Sequence, residues 1–429
     1  MFKPYFYILL TLLAFPLALD AEDGTGYLVE NIEIRGNDRT RDRVILQALN
    51  LHPDDRLAPN QLQECREALL RTRLFRTAHV SAKPGSEKGK AVVLVYVEEK
   101  RFGDLGVSLE YTELDGFGVA IDAYHTNVLG TGKLVGAEYG LGERLKYWGF
   151  RYADPWTFGT NQSFHFQVSG SSADRDLFRT KNPNARGRYD LERIGGSVGI
   201  GQPIQNRAFR AILKYSLETV QVGAVETPAI ATNGGVFAKE VQDAVGRETL
   251  SYLGLDFRRG FGQPWGSAPG YDLRVQVDAS ASFLGSVTDF VRVRTEAYQH
   301  FETAPGQILT LGGKAGTIFG TPPFYERFFL DGPNQLRGFE RREIGPEGSK
   351  QFFLAEAIYS LSLKQLGRAY LFVEVAGVRH KQNTRTQKDT DATFGVGIVL
   401  FNRIDISFGI GTGTLILKKH RFGGLNIDL

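Results

Sequence analysis

In Tyr271-Asp272-Leu273-Arg274-Val275-Gln276-Val277-Asp278-Ala279 the odd positions are apolar or small and the even ones carry a charge or an amide. Successive side chains of a β-strand point to opposite faces, so this period of two writes a strand with one apolar and one polar face. Phe209, Ala211, Leu213, Tyr215 and Leu217 stand against Arg210, Lys214, Ser216 and Glu218 in the same way, and Ile404, Ile406, Phe408 and Ile410 against Asp405 and Ser407. From 102 to 429 the texture recurs in about sixteen segments, an even number within the range of outer-membrane barrels.

Alternation alone would also suit a soluble β-sandwich, and the connections decide between them. Long ones are read at Ser171 to Arg188, Gln221 to Val245, Ile318 to Lys350 and His380 to Thr390. Those between them are tight, as at Pro203 to Asn206, Glu302 to Pro305 and Gln365 to Gly367. Long loops on one rim and short turns on the other define a transmembrane antiparallel β-barrel, with the short turns in the periplasm. The charged parity then faces the lumen, because a charge on the lipid face at the midplane costs about 2 to 4 kcal/mol. Closure leaves one seam, where the first strand (Phe102 to Tyr111) meets the last (Arg421 to Leu429).

Ahead of the barrel, residues 1–21 begin with Lys3, continue through the apolar run Phe6 to Leu19 and finish at Ala18 or Ala21, the pattern of a secretory signal peptide. The run is shorter than the ~20 residues of a spanning helix. Residues 27–100 read as a small α+β unit of order βααββ. Val29 to Arg35 is a strand ending in Gly36-Asn37-Asp38, and Thr40 caps a helix through Leu49. Pro59-Asn60 opens a second helix with Leu62, Cys65, Leu69 and Leu70 on one face, and strands around Val80 and from Val92 to Val97 close the unit.

Composition agrees with a β protein: 50 of 429 residues are glycine and 12% are aromatic. A net charge of +3 offers no basic tract for nucleic acid. Cys65 is the only cysteine, which excludes an internal disulfide and a multi-thiolate metal site, and the seven histidines lack ligand spacing. Gly130-Thr131-Gly132-Lys133 fails the phosphate-loop pattern at Asn127 and Leu134, and no Gly-x-Ser-x-Gly elbow is present. The expectation is a protein without cofactor, metal or enzymatic activity.

The longest outer loop contains Phe324-Tyr325-Glu326-Arg327-Phe328-Phe329-Leu330-Asp331-Gly332-Pro333-Asn334-Gln335-Leu336-Arg337-Gly338-Phe339. It resembles the loop-six signature of the BamA and TamA-like surface antigen superfamily, whose core is an Arg-Gly-Phe/Tyr triplet. Asn127 to Lys133 and Ala153-Asp154-Pro155-Trp156 resemble that family's first periplasmic turns, and 27–100 resembles its POTRA domain. The resemblance implies that Leu336, Arg337, Gly338 and Phe339 form a plug motif and that Arg337 folds into the barrel against an acid on a late strand. Glu374, in Phe372-Val373-Glu374-Val375-Ala376-Gly377, matches that acid, and parity puts it opposite Leu371, Val373 and Val375. Glu356 is the second candidate. Asp331 departs from the pattern where a small residue is expected, and Leu429 replaces the terminal aromatic residue usual in such barrels.

The function so implied is insertion of other proteins into the outer membrane. POTRA captures clients, and a weak seam between Gly106 on the first strand and Gly423, Gly424, Leu425 and Leu429 on the last templates their strands. The partners are unfolded outer-membrane or secreted proteins, outer-membrane lipid, and periplasmic chaperones or accessory lipoproteins. Polypeptide export through the lumen is the alternative within the family. A passive porin is the alternative outside it, and a structural surface antigen without a client is a third.

Overall fold

The computed structural model describes residues 26–58, 60–112, 116–176, 187–204, 209–225, 236–259, 270–330, 336–337, 347–382, 385–400, 404–410 and 415–419. The chain divides into two compact units. In the first, β1 (Leu28–Arg35) is followed by α1 (Asp42–Leu49), α2 (Gln61–Arg71), β2 (Phe75–Pro84) and β3 (Lys90–Glu99). The sheet order is β1-β3-β2, with β1 parallel and β2 antiparallel to the central β3. Ile45, Leu49, Cys65 and Leu69 from the helices pack on Val93, Val95 and Val97 of β3. Thr40 does not cap α1. The helix starts at Asp42 behind Arg41 without a side-chain cap, and Thr40 is buried with its hydroxyl accepting from Asn127 Nδ2 at 2.9 Å. That bond reaches into 123–136, which belongs to the same compact unit, as does 151–164.

The second architecture is a sheet of sixteen strands in which spatial order follows chain order. They are β4 (Gly103–Thr112), β5 (Gly116–His125), β6 (Leu134–Gly142), β7 (Leu145–Asp154), β8 (Ser163–Asp176), β9 (Arg188–Ile204), β10 (Phe209–Val222), β11 (Gly246–Arg259), β12 (Gly270–Ser280), β13 (Phe290–Ala304), β14 (Gln307–Gly320), β15 (Gln351–Ser362), β16 (Gly367–Gln382), β17 (Arg385–Leu400), β18 (Ile404–Ile410) and β19 (Leu415–Lys419). The described ladders from β9 to β19 are all antiparallel. Between β10 and β11 lies α3 (Val236–Asp243).

Two readings of the connections change. His380 to Thr390 is no long loop: Gln382 pairs with Arg385 at the end of one continuous ladder. Beyond the hydrocarbon both faces of a strand meet water, so alternation fades while backbone pairing continues. Likewise β8 continues to Asp176. The expected last strand, Arg421 to Leu429, lies outside the described residues, as do residues 1–21.

Exposure follows the period of two. Leu371 and Val373 are 56% and 53% exposed, while Tyr370, Phe372 and Glu374 between and beside them are buried. Tyr271 is exposed and Asp278 buried on β12, and Phe408 is exposed and Ser407 buried on β18. The inward face is not polar throughout, however. Val220, Val222, Leu250, Ile318, Phe352 and Leu354 join Phe324, Phe328, Leu330 and Leu336 of the β14–β15 connection in one apolar cluster.

Candidate functional site: the inward-folded sixth loop

Residues 321–350 between β14 and β15 form the sixth connection on their rim of the sheet. The loop is closed at its base by reciprocal main-chain bonds between Phe328 and Ser349, both 2.8 Å, and by Phe328 packing on Phe352 with ring centroids 4.6 Å apart. Leu336 is fully buried in the cluster beside them. The apolar members of the loop thus fold onto the sheet's inner face, which carries the adjoining Arg337 with them.

Arg337 meets two carboxylates. Its Nε donates to Glu374 Oε1, its backbone N–H donates to Glu374 Oε2 at 2.9 Å, and its guanidinium lies 3.5 Å from Glu356 Oε1. The guanidinium carbon is 3.9 Å from the centroid of the Phe372 ring, a stacked arrangement that lysine could not reproduce. Glu356 and Glu374 are direct cross-strand partners on β15 and β16. Like charges so placed repel, and the buried cation between them is what makes the pair tolerable. Glu374 is 1% exposed.

The surroundings are built by register. Tyr298, Gly312, Glu356 and Glu374 lie in one row across β13, β14, β15 and β16. A Cβ at Gly312 would sit 2.7 Å from Tyr298 Cα and 2.8 Å from its ring, so only glycine lets the Tyr298 ring cross β14 and donate to Glu356 Oε2 at 2.5 Å. Gly395 on β17 receives the Phe372 ring in the same manner. Both glycines face their aromatic partner across the register, Gly312 opposite Tyr298 and Gly395 opposite Phe372, a pairing that neighbouring positions in the sequence do not reveal.

A second ionic centre, absent from the sequence reading, holds the root of the same loop. Glu326, buried on a single turn at Phe324–Glu326, accepts from Arg193 of β9 and from Arg292 of β13, the latter at 2.6 Å. Arg193 also forms a two-point pair with Glu218, both bonds 2.8 Å, and Arg292 reaches Asp278. Asp278 in turn faces Lys214 and Arg294. The loop therefore presents an acid to wall arginines at its root and an arginine to wall acids further along. Neighbouring Tyr325 donates to Glu248, and Arg327 pairs with Glu240 of α3.

Of the residues singled out in the sequence, Arg337, Glu374 and Glu356 are brought together and Leu336 is buried beside them. Gly106 lies on β4, far along the strand order from these groups. Gly338, Phe339, Gly423, Gly424, Leu425 and Leu429 lie outside the described residues.

A βααββ unit ahead of a sixteen-stranded meander with an inward-folded sixth loop defines an outer-membrane barrel with a periplasmic POTRA domain. The chain belongs to the Omp85 superfamily, whose domain matches residues 127–414, and a POTRA repeat described as surface antigen variable number repeat matches 27–100. It is 24% identical over 327 residues to the outer membrane protein assembly factor BamA of Neorickettsia risticii, covering 75% of this chain and 41% of that protein. It is 21% identical over 394 residues to BamA of Neisseria meningitidis, covering 87% and 47%. The chain thus spans less than half the length of these curated relatives. Among solved structures, BamA of Haemophilus ducreyi lacking POTRA domains 1-3 shares the fold with a TM-score of 0.60 at 14% identity, covering 94% of this chain and 84% of that one. CdiB from Escherichia coli does so with 0.65 at 13% identity, covering 92% and 75%.

Proposed function

We propose that this protein assembles other proteins into the outer membrane, with POTRA capturing unfolded clients and the terminal strands of the sheet templating their insertion. The observation that carries the reading is an open-edged POTRA sheet in the same chain as an Omp85 barrel, a combination for which a passive porin has no use. Among the described residues β2 pairs only with β3, and it is largely exposed, so a client segment can extend the sheet through main-chain hydrogen bonds that tolerate many sequences. The curated relatives named as assembly factors support the same reading.

At the other end of the path, β4 and β19 are the outermost strands of the described order. An unpaired N–H or C=O in hydrocarbon costs several kcal/mol, which drives an incoming strand to pair there. On this reading Gly106 on β4 belongs to one side of the seam, and Gly423, Gly424, Leu425 and Leu429, outside the described residues, to the other. The Arg337 contact with Glu374 and Glu356 holds loop six as a plug across the lumen. Partners are unfolded outer-membrane or secreted clients, membrane lipid, and periplasmic chaperones or accessory lipoproteins.

The test reconstitutes the chain in liposomes and follows protease protection of an unfolded barrel client, beside Arg337→Ala and a variant cross-linked through Gly106→Cys and Leu425→Cys. Insertion should exceed that of empty liposomes, stop on cross-linking and return on reduction. No insertion, with a steady ion conductance that Arg337→Ala increases, would overturn the reading in favour of export or diffusion through the lumen.

A further inference from the structure

The first compact unit contains a cleft of about 520 Å³ that plays no part in client capture or in the sixth loop. It opens between α1 and the turns of 123–136 and 151–164, all within that unit. Three cations line it: Arg41 and Arg43 at the start of α1, and Lys133 just before β6. The lining acid, Asp154, is already engaged, with one oxygen 3.0 Å from Lys133 and the other accepting from the Trp156 N–H at 3.0 Å. Arg41 spends its Nε on the Leu129 carbonyl, and Arg43 is exposed and makes no ion pair among the described residues. The cleft therefore carries uncompensated positive charge.

Tyr152, Trp156 and Phe164, at or next to the periplasmic ends of β7 and β8, also line it, along with Gln47, Thr131, Thr157 and Gly159. Amphipathic rings at strand ends sit at headgroup level, one face in the acyl region and one edge in water. Val44 of α1, also on the cleft wall, adds an apolar floor. Cations and aromatic rings lining one cleft at strand ends match a phosphodiester joined to acyl chains.

We propose that this cleft binds the headgroup of an anionic phospholipid of the periplasmic leaflet, tying the first helix of the POTRA domain to the membrane surface. Arg43 supplies the free charge, Arg41 and Lys133 the flanking field, and the three rings the seat for the glycerol and upper acyl carbons. An acidic peptide could satisfy the charges but would leave the rings without a partner at that depth. Lipid is therefore the occupant the lining favours.

The test counts lipids retained by the delipidated full chain in neutral detergent, by native mass spectrometry after adding phosphatidylglycerol or phosphatidylcholine of the same acyl composition. Phosphatidylglycerol should be retained in preference. Arg43→Gln should weaken it about fivefold, the effect of one basic residue near anionic lipid, while Arg43→Lys keeps most of it. Heat-modified gel migration identical to wild type establishes that the variants are folded. Equal retention of the two lipids, or an unchanged Arg43→Gln, overturns the proposal. Displacement by inorganic phosphate at matched concentration makes the cleft a free-anion site, and displacement by an acidic peptide makes it a client contact; either result also overturns it.

Discussion

The POTRA unit buries Ile45, Leu51, Leu69 and Val93 completely, whereas in the sheet Leu371, Val373 and Phe394 are more than half exposed and Glu374 is 1% exposed. One chain thus solves the burial problem twice with opposite sign. In the periplasmic unit, apolar groups leave water for each other. In the sheet they leave water for lipid, and the charged groups turned inward must satisfy one another. What holds the two regions together therefore differs: side-chain packing around Leu69 in one, backbone ladders and ion pairs such as Arg337 with Glu374 in the other. The same substitution chemistry should have unequal consequences in the two places.

The largest effect belongs to the inner face of the sheet. Arg337→Ala leaves Glu356 and Glu374 directly opposite each other without their cation, and breaking a buried pair from one side costs about 3 to 5 kcal/mol. Urea unfolding in lipid vesicles should show that loss, and adding Glu374→Gln should restore part of it by removing the like-charge pair. A loss under about 1 kcal/mol, the range of exposed pairs, would mean that water reaches these carboxylates and that the ion pair contributes little to holding the loop.

The apolar core of POTRA comes next. Leu69→Ala removes a fully buried side chain that packs with Ile45 and Val93, and such truncations cost about 2 to 5 kcal/mol. The unit is small, so much of its stability should go, seen as a lowered midpoint of its thermal transition while the sheet stays resistant to heat and detergent. A single transition for both units, shifted as a whole, would break the comparison by showing that they unfold together.

Strands were legible because period two survives in any solvent, whichever side the apolar parity faces. The same parity put Glu374 on the inward face where Arg337 meets it. Glu326 was not legible as a site, since an acid in a loop has no periodicity and its partners Arg193 and Arg292 are 133 and 34 residues away. Thr40 was misread for a related reason. Its sequence context fits a helix cap, but its hydroxyl is taken by Asn127, a residue 87 positions on that no local rule connects to it. The error at His380 to Thr390 arose where alternation stops being enforced, because backbone pairing leaves no mark on side-chain polarity. Sequence pattern reports the solvent each face meets, and long-range contacts enter only where a family motif or a shared register row points to them.

The smallest effect is the one that tests the inversion most directly. Leu371→Ala deletes the same atoms as Leu69→Ala, but from a side chain that is 56% exposed on the face turned to lipid. Acyl chains close around the shortened residue, so no cavity remains, and only the transfer difference is lost. On a membrane-insertion scale that difference is about 0.5 kcal/mol, several times less than the cavity-forming change in POTRA. Equilibrium unfolding of the two variants in the same vesicles gives the ratio. If Leu371→Ala cost as much as Leu69→Ala, position 371 would be packed against protein, and the outward face of β16 would be an interface with another chain.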